Sequence, residues 1–285
     1  MSQDKMIIVS PLFQMMAGIM ANQTDKNLAN IQTEDICKDM NAEGVKKEKS
    51  SVRKSNKQKG KDSEVFAFKT KEEVALMIRT FDKHIETAAS KEQLKIAKRN
   101  KLLFLIGINV GIRGSDLCTL KWCDFLDKDG TFKESYRFQP KKTRHSNNGT
   151  GKWVRLFYNK TVQRAVLDYI ADYPIDNMND YVFFSRKGDK PISRSSIGRI
   201  IKDTAAECNI KQNINSHSLR KTWAYHVWHD AEDKRKALVI LQHIFNHSSQ
   251  GMTMKYIGIL DDDAKDVFDS LELGCDLIDD CGQDS

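Results

Sequence analysis

The chain lacks most of what would mark it as a membrane, secreted or metal-binding protein. No apolar run approaches the roughly 18 residues that a membrane helix needs. The longest candidate, Pro11–Ala21, is too short to span a bilayer and has no basic segment before it, so it does not read as a signal peptide. It reads instead as a helix that packs on a partner or a core. The six cysteines are scattered, and none forms a C-x-x-C pair. That excludes a zinc ribbon or a thiol redox motif and suits a reducing compartment. No H-E-x-x-H is present and no internal repeat is visible.

Net negative charge is concentrated at one end. From Asp261 onward there are ten acidic residues and one lysine, a net of −9, so the overall +7 leaves +16 on the preceding residues. A basic body with an acidic tail points to a polyanionic partner, and charge of this kind also occurs in ordinary basic proteins. Residues 46–61, KKEKSSVRKSNKQKGK, hold eight basic residues, one acidic residue and a single aliphatic, Val52. Such a stretch has too little apolar surface to order itself and reads as a flexible linker or basic arm. The predicted organisation is therefore a short helical segment at 1–45, a basic linker at 46–64, a globular body at 65–260 and an acidic helix and tail at 261–285.

Within the body, Thr70 and Glu73 form a capping-box pattern that opens a helix through Val74, Met77, Ile78, Phe81 and Ile85. Leu94–Val110 reads as a second, more buried helix, broken at Gly111 and Gly114 and restarted over 116–121. Residues 132–139 and 152–157 read as strands joined through the turn signal Asn147-Asn148-Gly149. Further helices are expected at 160–172, 194–208, 216–229, 234–246 and 262–273, with a short strand at 181–184. The fold class is mainly α with a small antiparallel β-sheet.

An ordered set of polar residues carries the chemistry. Phosphodiester transfer needs a nucleophile, positive charge on the non-bridging oxygens and an acid at the leaving oxygen. Arg113, after a glycine-flanked helix break, and Arg220 supply guanidinium forks that meet phosphate bidentately. His217 stands three residues before Arg220 on the same helix face, with Ser216 as the expected N-cap. A helix N-terminus there would add donors for a phosphate. Lys142 lies at the mouth of the hairpin, in Gln139-Pro140-Lys141-Lys142-Thr143, and periodicity does not choose between it and Lys141 as the acid. Tyr256, nine residues after His247, is the candidate nucleophile, with an intrinsic pKa near ~10.

These motifs resemble the catalytic domain of the tyrosine recombinase family, also called phage integrases, over roughly residues 65–260. Gly111-Ile112-Arg113-Gly114-Ser115-Asp116-Leu117 is similar to the first arginine motif, and Lys142-Thr143 to the hairpin lysine motif. His217-Ser218-Leu219-Arg220-Lys221-Thr222 matches the H-x-x-R box. Asn246-His247-Ser248-Ser249 resembles G-H-S-S, with Asn246 where the family has glycine, and Tyr256 falls at the nucleophile's spacing. The resemblance implies the tyrosine-recombinase catalytic-domain fold and a site-specific recombinase or integrase of mobile-element type. By that resemblance, Arg113 and Arg220 bind the scissile phosphate and His217 assists proton transfer. Lys142 acts as general acid, His247 hydrogen-bonds a phosphate oxygen, and Tyr256 forms a 3′-phosphotyrosyl link. Asp116 holds the site together.

It also implies no metal or other cofactor, no ATP and no membrane. The implied partners are double-stranded DNA, a homotetramer synapsing two DNA sites, and accessory DNA-bending proteins. The implied setting is the cytoplasm of a bacterial or phage system. Family members usually carry a helical core-binding domain ahead of the catalytic one, which residues 1–64 would supply in reduced form.

Three other readings compete. The first is a DNA-binding protein of the same fold that no longer recombines autonomously. The second is a metal-dependent nuclease or hydrolase using His243/His247, His226/His229 or Asp261-Asp262-Asp263. The third is a type IB topoisomerase, which the histidine box and tyrosine spacing disfavour.

Overall fold

The computed structural model describes residues 64–141, 153–186 and 188–259, together with Phe268 and Ser270. The segment at 1–45, the basic linker up to residue 63, Lys142, the Asn147-Asn148-Gly149 turn, the Asp261-Asp262-Asp263 run and the 262–273 helix lie outside the described residues. The exceptions in the last of these are Phe268 and Ser270.

Local sequence sets the first two helices. In α1 (Lys71–Glu86) the Thr70 side chain accepts from the Glu73 backbone N–H, and the Glu73 carboxylate accepts from the Thr70 N–H, so the capping box forms as expected. Helix α2 (Lys91–Val110) starts one turn earlier than the apolar periodicity suggests, because Ser90 caps Gln93. It ends at Gly111, whose φ of +69° is left-handed. α2 is the central helix of the larger core, burying Leu102, Leu103, Phe104, Ile106 and Val110 against Phe68, Met77, Phe81 and Leu219.

After Gly111 the chain makes two single-turn helices, α3 (Gly114–Leu117) and α4 (Trp122–Phe125), where the sequence suggested one. Strands β1 (Ser135–Phe138) and β2 (Val154–Phe157) pair antiparallel, Tyr136 opposite Leu156 and Phe138 opposite Val154. Those four residues turn toward the core, while Arg137, Arg155 and Phe157 are exposed. Helix α5 (Lys160–Asp172) has the predicted bounds and an Asn159 cap.

The predicted 181–184 strand needs correction. Only Phe184–Ser185 (β3) enters a ladder, pairing with Gly188–Pro191 (β4) in a second two-stranded sheet. Val182 and Phe183 are instead fully buried anchors, and the Val182 N–H donates to Leu120 O. The run is apolar because it is buried, and burial alone does not make a ladder.

Helices α6 (Arg194–Glu207), α7 (Ser216–His229) and α8 (Lys234–Phe245) fall close to their expected spans. A further helix, α9 (Gln250–Ile257), carries Tyr256 and was not evident from the sequence. At eight residues with Gly251 in its first turn, it is too short to show a clear period. The last helices close a second apolar cluster of Ala224, Leu238, Leu241, Phe245, Ile257 and Ile259. The body is thus mainly helical with small antiparallel sheets. No helix among the described residues is long and apolar enough to cross a membrane.

Candidate active site

The site forms where the starts of α3, α6 and α7 converge, and glycine makes the approach feasible. A Cβ on Gly114 would lie 3.0 Å from Ser216 Cβ and 3.7 Å from Arg194 Cγ. A Cβ on Gly107 would lie 2.6 Å from Leu219 Cδ1, so α2 and α7 are in close contact as well. At Gly111 a Cβ would come within 2.2 Å of the Trp223 ring. These contacts bring Arg113, the residue before α3, to the face of α7 that bears His217 and Arg220.

The α7 cap differs from expectation. Asn215, not Ser216, is the N-cap: its side chain accepts from the His217 N–H at 2.8 Å, and its own N–H donates to Ser218 Oγ at 3.0 Å. Ser216 is buried as the first helical residue, where Gly114 packs on it. Thr222, two residues beyond Arg220, accepts from the Phe68 N–H at 2.9 Å and ties α7 to the segment before α1.

Arg220 is 6% exposed and lies over the Phe245 ring, 4.2 Å from its centroid. Its pKa is lowered to about 10 by burial, with the nearby Arg113 charge acting in the same direction. It therefore remains cationic at neutral pH. It stands close to the Tyr256 hydroxyl, and the two groups act on each other's pKa. Burial raises the Tyr256 pKa above the usual phenol value, while Arg220 and Arg113 oppose that shift. The phenol is accordingly protonated at neutral pH. Its ring packs edge-on to Phe245 and His247, with centroids at 5.0 Å and 5.5 Å. Lys221 Nζ lies 5.7 Å from the same ring and 3.5 Å from Glu64.

His247 follows Asn246, which holds the left-handed conformation (φ 56°, ψ 47°) that ends α8. The glycine position of the related motif is thus filled by one of the few residues that adopt this region readily, and the turn is preserved. His247 Nδ1 lies 3.0 Å from Thr253 Oγ1 in α9, and its backbone N–H donates to Gln242 O.

Asp116 is 4% exposed. Its Oδ1 accepts from the Lys141 N–H at 3.0 Å, which pins the end of β1 beside α3. Its Oδ2 is buried with no hydrogen-bond partner among the described residues. Five of the six candidate residues, Arg113, His217, Arg220, His247 and Tyr256, are therefore gathered together with Asp116. Lys142 lies outside the described residues, and its neighbour Lys141 stands at the rim. A cleft of about 390 Å³ opens there between Asp116, Lys121, Arg137, Lys141 and Trp153. A larger cleft, of about 630 Å³ between α1, α2 and α5, contains none of the candidate residues.

One neighbour escaped the sequence reading. Arg194, at the start of α6, places Nη2 2.7 Å from His217 Nε2. The only local signal was a cation in the first turn of a helix, the end where positive charge is disfavoured. Two of the histidines proposed as alternative metal ligands have other partners. His226 Nε2 lies 3.1 Å from Phe68 O, and His229 Nδ1 lies 2.9 Å from Asp230.

Comparisons with known proteins identify the family. The chain matches the Phage integrase family over residues 69–262. It is 32% identical over 171 residues to the probable integrase/recombinase YoeC of Bacillus subtilis, covering 60% of this chain and 83% of that protein. It is 27% identical over 192 residues to a tyrosine recombinase of Agathobacter rectalis, covering 66% of this chain and 56% of that one. Among solved structures, XerA recombinase gives a TM-score of 0.49 at 20% identity, over 70% of this chain and 61% of that one. The family match spans every motif from Arg113 to Tyr256, and on that basis the chain belongs to the phage integrase family of tyrosine recombinases.

Proposed function

We propose that this chain cuts and rejoins double-stranded DNA at specific sites through a 3′-phosphotyrosyl link to Tyr256, using neither metal nor ATP. The observation that carries this reading is that the buried Arg220 guanidinium and the Tyr256 ring pack on the same Phe245 ring, 4.2 Å and 5.0 Å from it, with the charges of Arg220 and Arg113 both acting on the phenol. A phosphate seated on the two guanidinium groups would have the phenol oxygen next to it. Preorganised cations in a buried site are the main resource for such a reaction.

The step balances without a cofactor. The Tyr256 oxygen bonds to phosphorus, and the bond from phosphorus to the 5′ oxygen breaks. The leaving oxygen takes a proton from Lys142, and the phenolic proton passes into the network containing His217. Arg113, Arg220 and His247 hold the non-bridging oxygens. Asp116 reacts with nothing and fixes the hairpin to α3. In the return step a 5′ hydroxyl of another strand attacks phosphorus and releases Tyr256, so the phosphodiester energy is conserved. Exchange between two sites requires paired subunits. We place the working unit as a homotetramer on two DNA sites, assisted by DNA-bending proteins.

The decisive test uses a nicked duplex built from junctions recovered when the chain is expressed beside its own flanking DNA. Wild type should form a covalent adduct on a denaturing gel, unchanged in excess EDTA. Tyr256→Phe should form none while binding the duplex nearly as well, because only the attacking oxygen is lost. An adduct at wild-type level in the phenylalanine variant would overturn the assignment. Binding with no adduct in wild type would mark a DNA-binding member of the fold that no longer recombines.

A further inference from the structure

We propose that Arg194 is a positioning residue that holds His217 as the neutral imidazole protonated on Nδ1, with the Nε2 lone pair engaged by the guanidinium. The geometry rests on a single contact, Arg194 Nη2 to His217 Nε2 at 2.7 Å. A guanidinium has donors and no acceptor, so this contact is a hydrogen bond only when Nε2 carries no proton. A protonated ring would set an N–H against an N–H. Free imidazole favours the opposite tautomer, with the proton on Nε2, so the contact selects a state the ring would not otherwise prefer.

The surroundings act in the same direction. Burial lowers the His217 pKa, and the charges of Arg194 from α6, Arg220 and Lys221 from α7, and Arg113 from the start of α3 act in the same direction. The Asp116 carboxylate acts on the Arg220 charge. Arg194 is also exposed and sits in the first turn of α6, where the helix dipole disfavours a cation. Its placement therefore costs the free protein stability and suits a site that receives an anion. A phosphodiester arriving at Arg113 and Arg220 competes for the same guanidinium. Release of His217 Nε2 as a proton acceptor is then coupled to substrate occupancy.

The catalytic meaning rests on the phosphotyrosyl reading, but the protonation state can be measured without it. The experiment is long-range ¹⁵N–¹H NMR of histidine-labelled, full-length, DNA-free protein, with His217→Gln to assign the signals. Wild type should show Nδ1 protonated. Arg194→Ala should convert the ring to the Nε2-protonated tautomer and raise its titration midpoint by about one pH unit, a tenfold gain in proton affinity. Arg194→Gln keeps a neutral donor and serves if the alanine variant folds poorly; it should keep the Nδ1 tautomer and still raise the midpoint. An unchanged tautomer and midpoint in both variants would overturn the proposal. The acid limb of the adduct-versus-pH profile should also move upward in Arg194→Ala. If the Arg194 variants show these NMR changes and the wild-type chain forms no adduct, the phosphotyrosyl reading fails and the role of Arg194 stands.

Discussion

Two residues of the site are held in the protonation state opposite to the one their chemistry ends in. Tyr256 must lose a proton to attack, and burial keeps it protonated. His217 is to receive a proton, and burial together with four nearby cations favours its neutral form. This fits a site that waits for phosphate charge before it reacts. The histidine has a consequence for stability. Its folded-state pKa lies below the unfolded value near 6.5, so the unfolded chain takes up the proton first as pH falls. Stability therefore declines below about pH 6.5. Thermal melting between pH 7.5 and 5.5 should show a steeper loss in wild type than in His217→Gln, and equal slopes would mean that His217 titrates normally. The choice between Lys141 and Lys142 is also made at this scale. A phosphorothiolate at the leaving position no longer needs a proton, so it should restore cleavage by Lys142→Ala and leave Lys141→Ala unaffected. Rescue of the Lys141 variant instead would move the general acid one residue back.

At the scale of the elements, the site is made by helix ends. The α2–α3 break sits on Gly111, where both the positive φ and the Trp223 ring exclude a side chain. Gly111→Ala should cost more than about 2 kcal/mol, combining left-handed strain with overpacking. It should lower activity with stability, since Arg113 hangs from this turn. The α8–α9 turn offers the contrast. Asn246 already holds the left-handed conformation, which glycine adopts without strain, so Asn246→Gly should lower the melting temperature less than Gly111→Ala does. Asn246→Ala should lose about 1 kcal/mol. Denaturant melts of the three variants test the ranking. Equal losses at Gly111 and Asn246 would show that the Trp223 contact does not matter.

At the scale of the whole molecule, the charge asymmetry divides the work. The acidic stretch after Leu260 would repel DNA, and its apolar positions, Ala264, Val267, Phe268, Leu271 and Leu273, recur at helical spacing. Phe268 is 75% exposed, which leaves it available to another subunit. Deleting residues from Asp261 onward should weaken two-site assembly and strand exchange while sparing single-site binding, measured by sedimentation and native gels. Undiminished two-site complex after truncation would remove the docking role, and loss of folded protein would show that the segment packs on its own domain.

The sequence by itself determined the helices with clean caps, α1 and α5 above all, because a cap and an apolar stripe act within a turn or two of chain. It also determined the order of the motifs from Arg113 to Tyr256, since each is a short string of residues. The structure alone decided that five of these residues meet, and that Asn215 rather than Ser216 caps α7. It alone placed Tyr256 on a helix too short to show its period. The clearest case is Arg194, 23 residues from His217 in the chain and 2.7 Å from it in space. No local pattern encodes that contact. It depends on Gly114 letting α3 close on Ser216 and on the packing of α6 beside α7, which are properties of the assembled core.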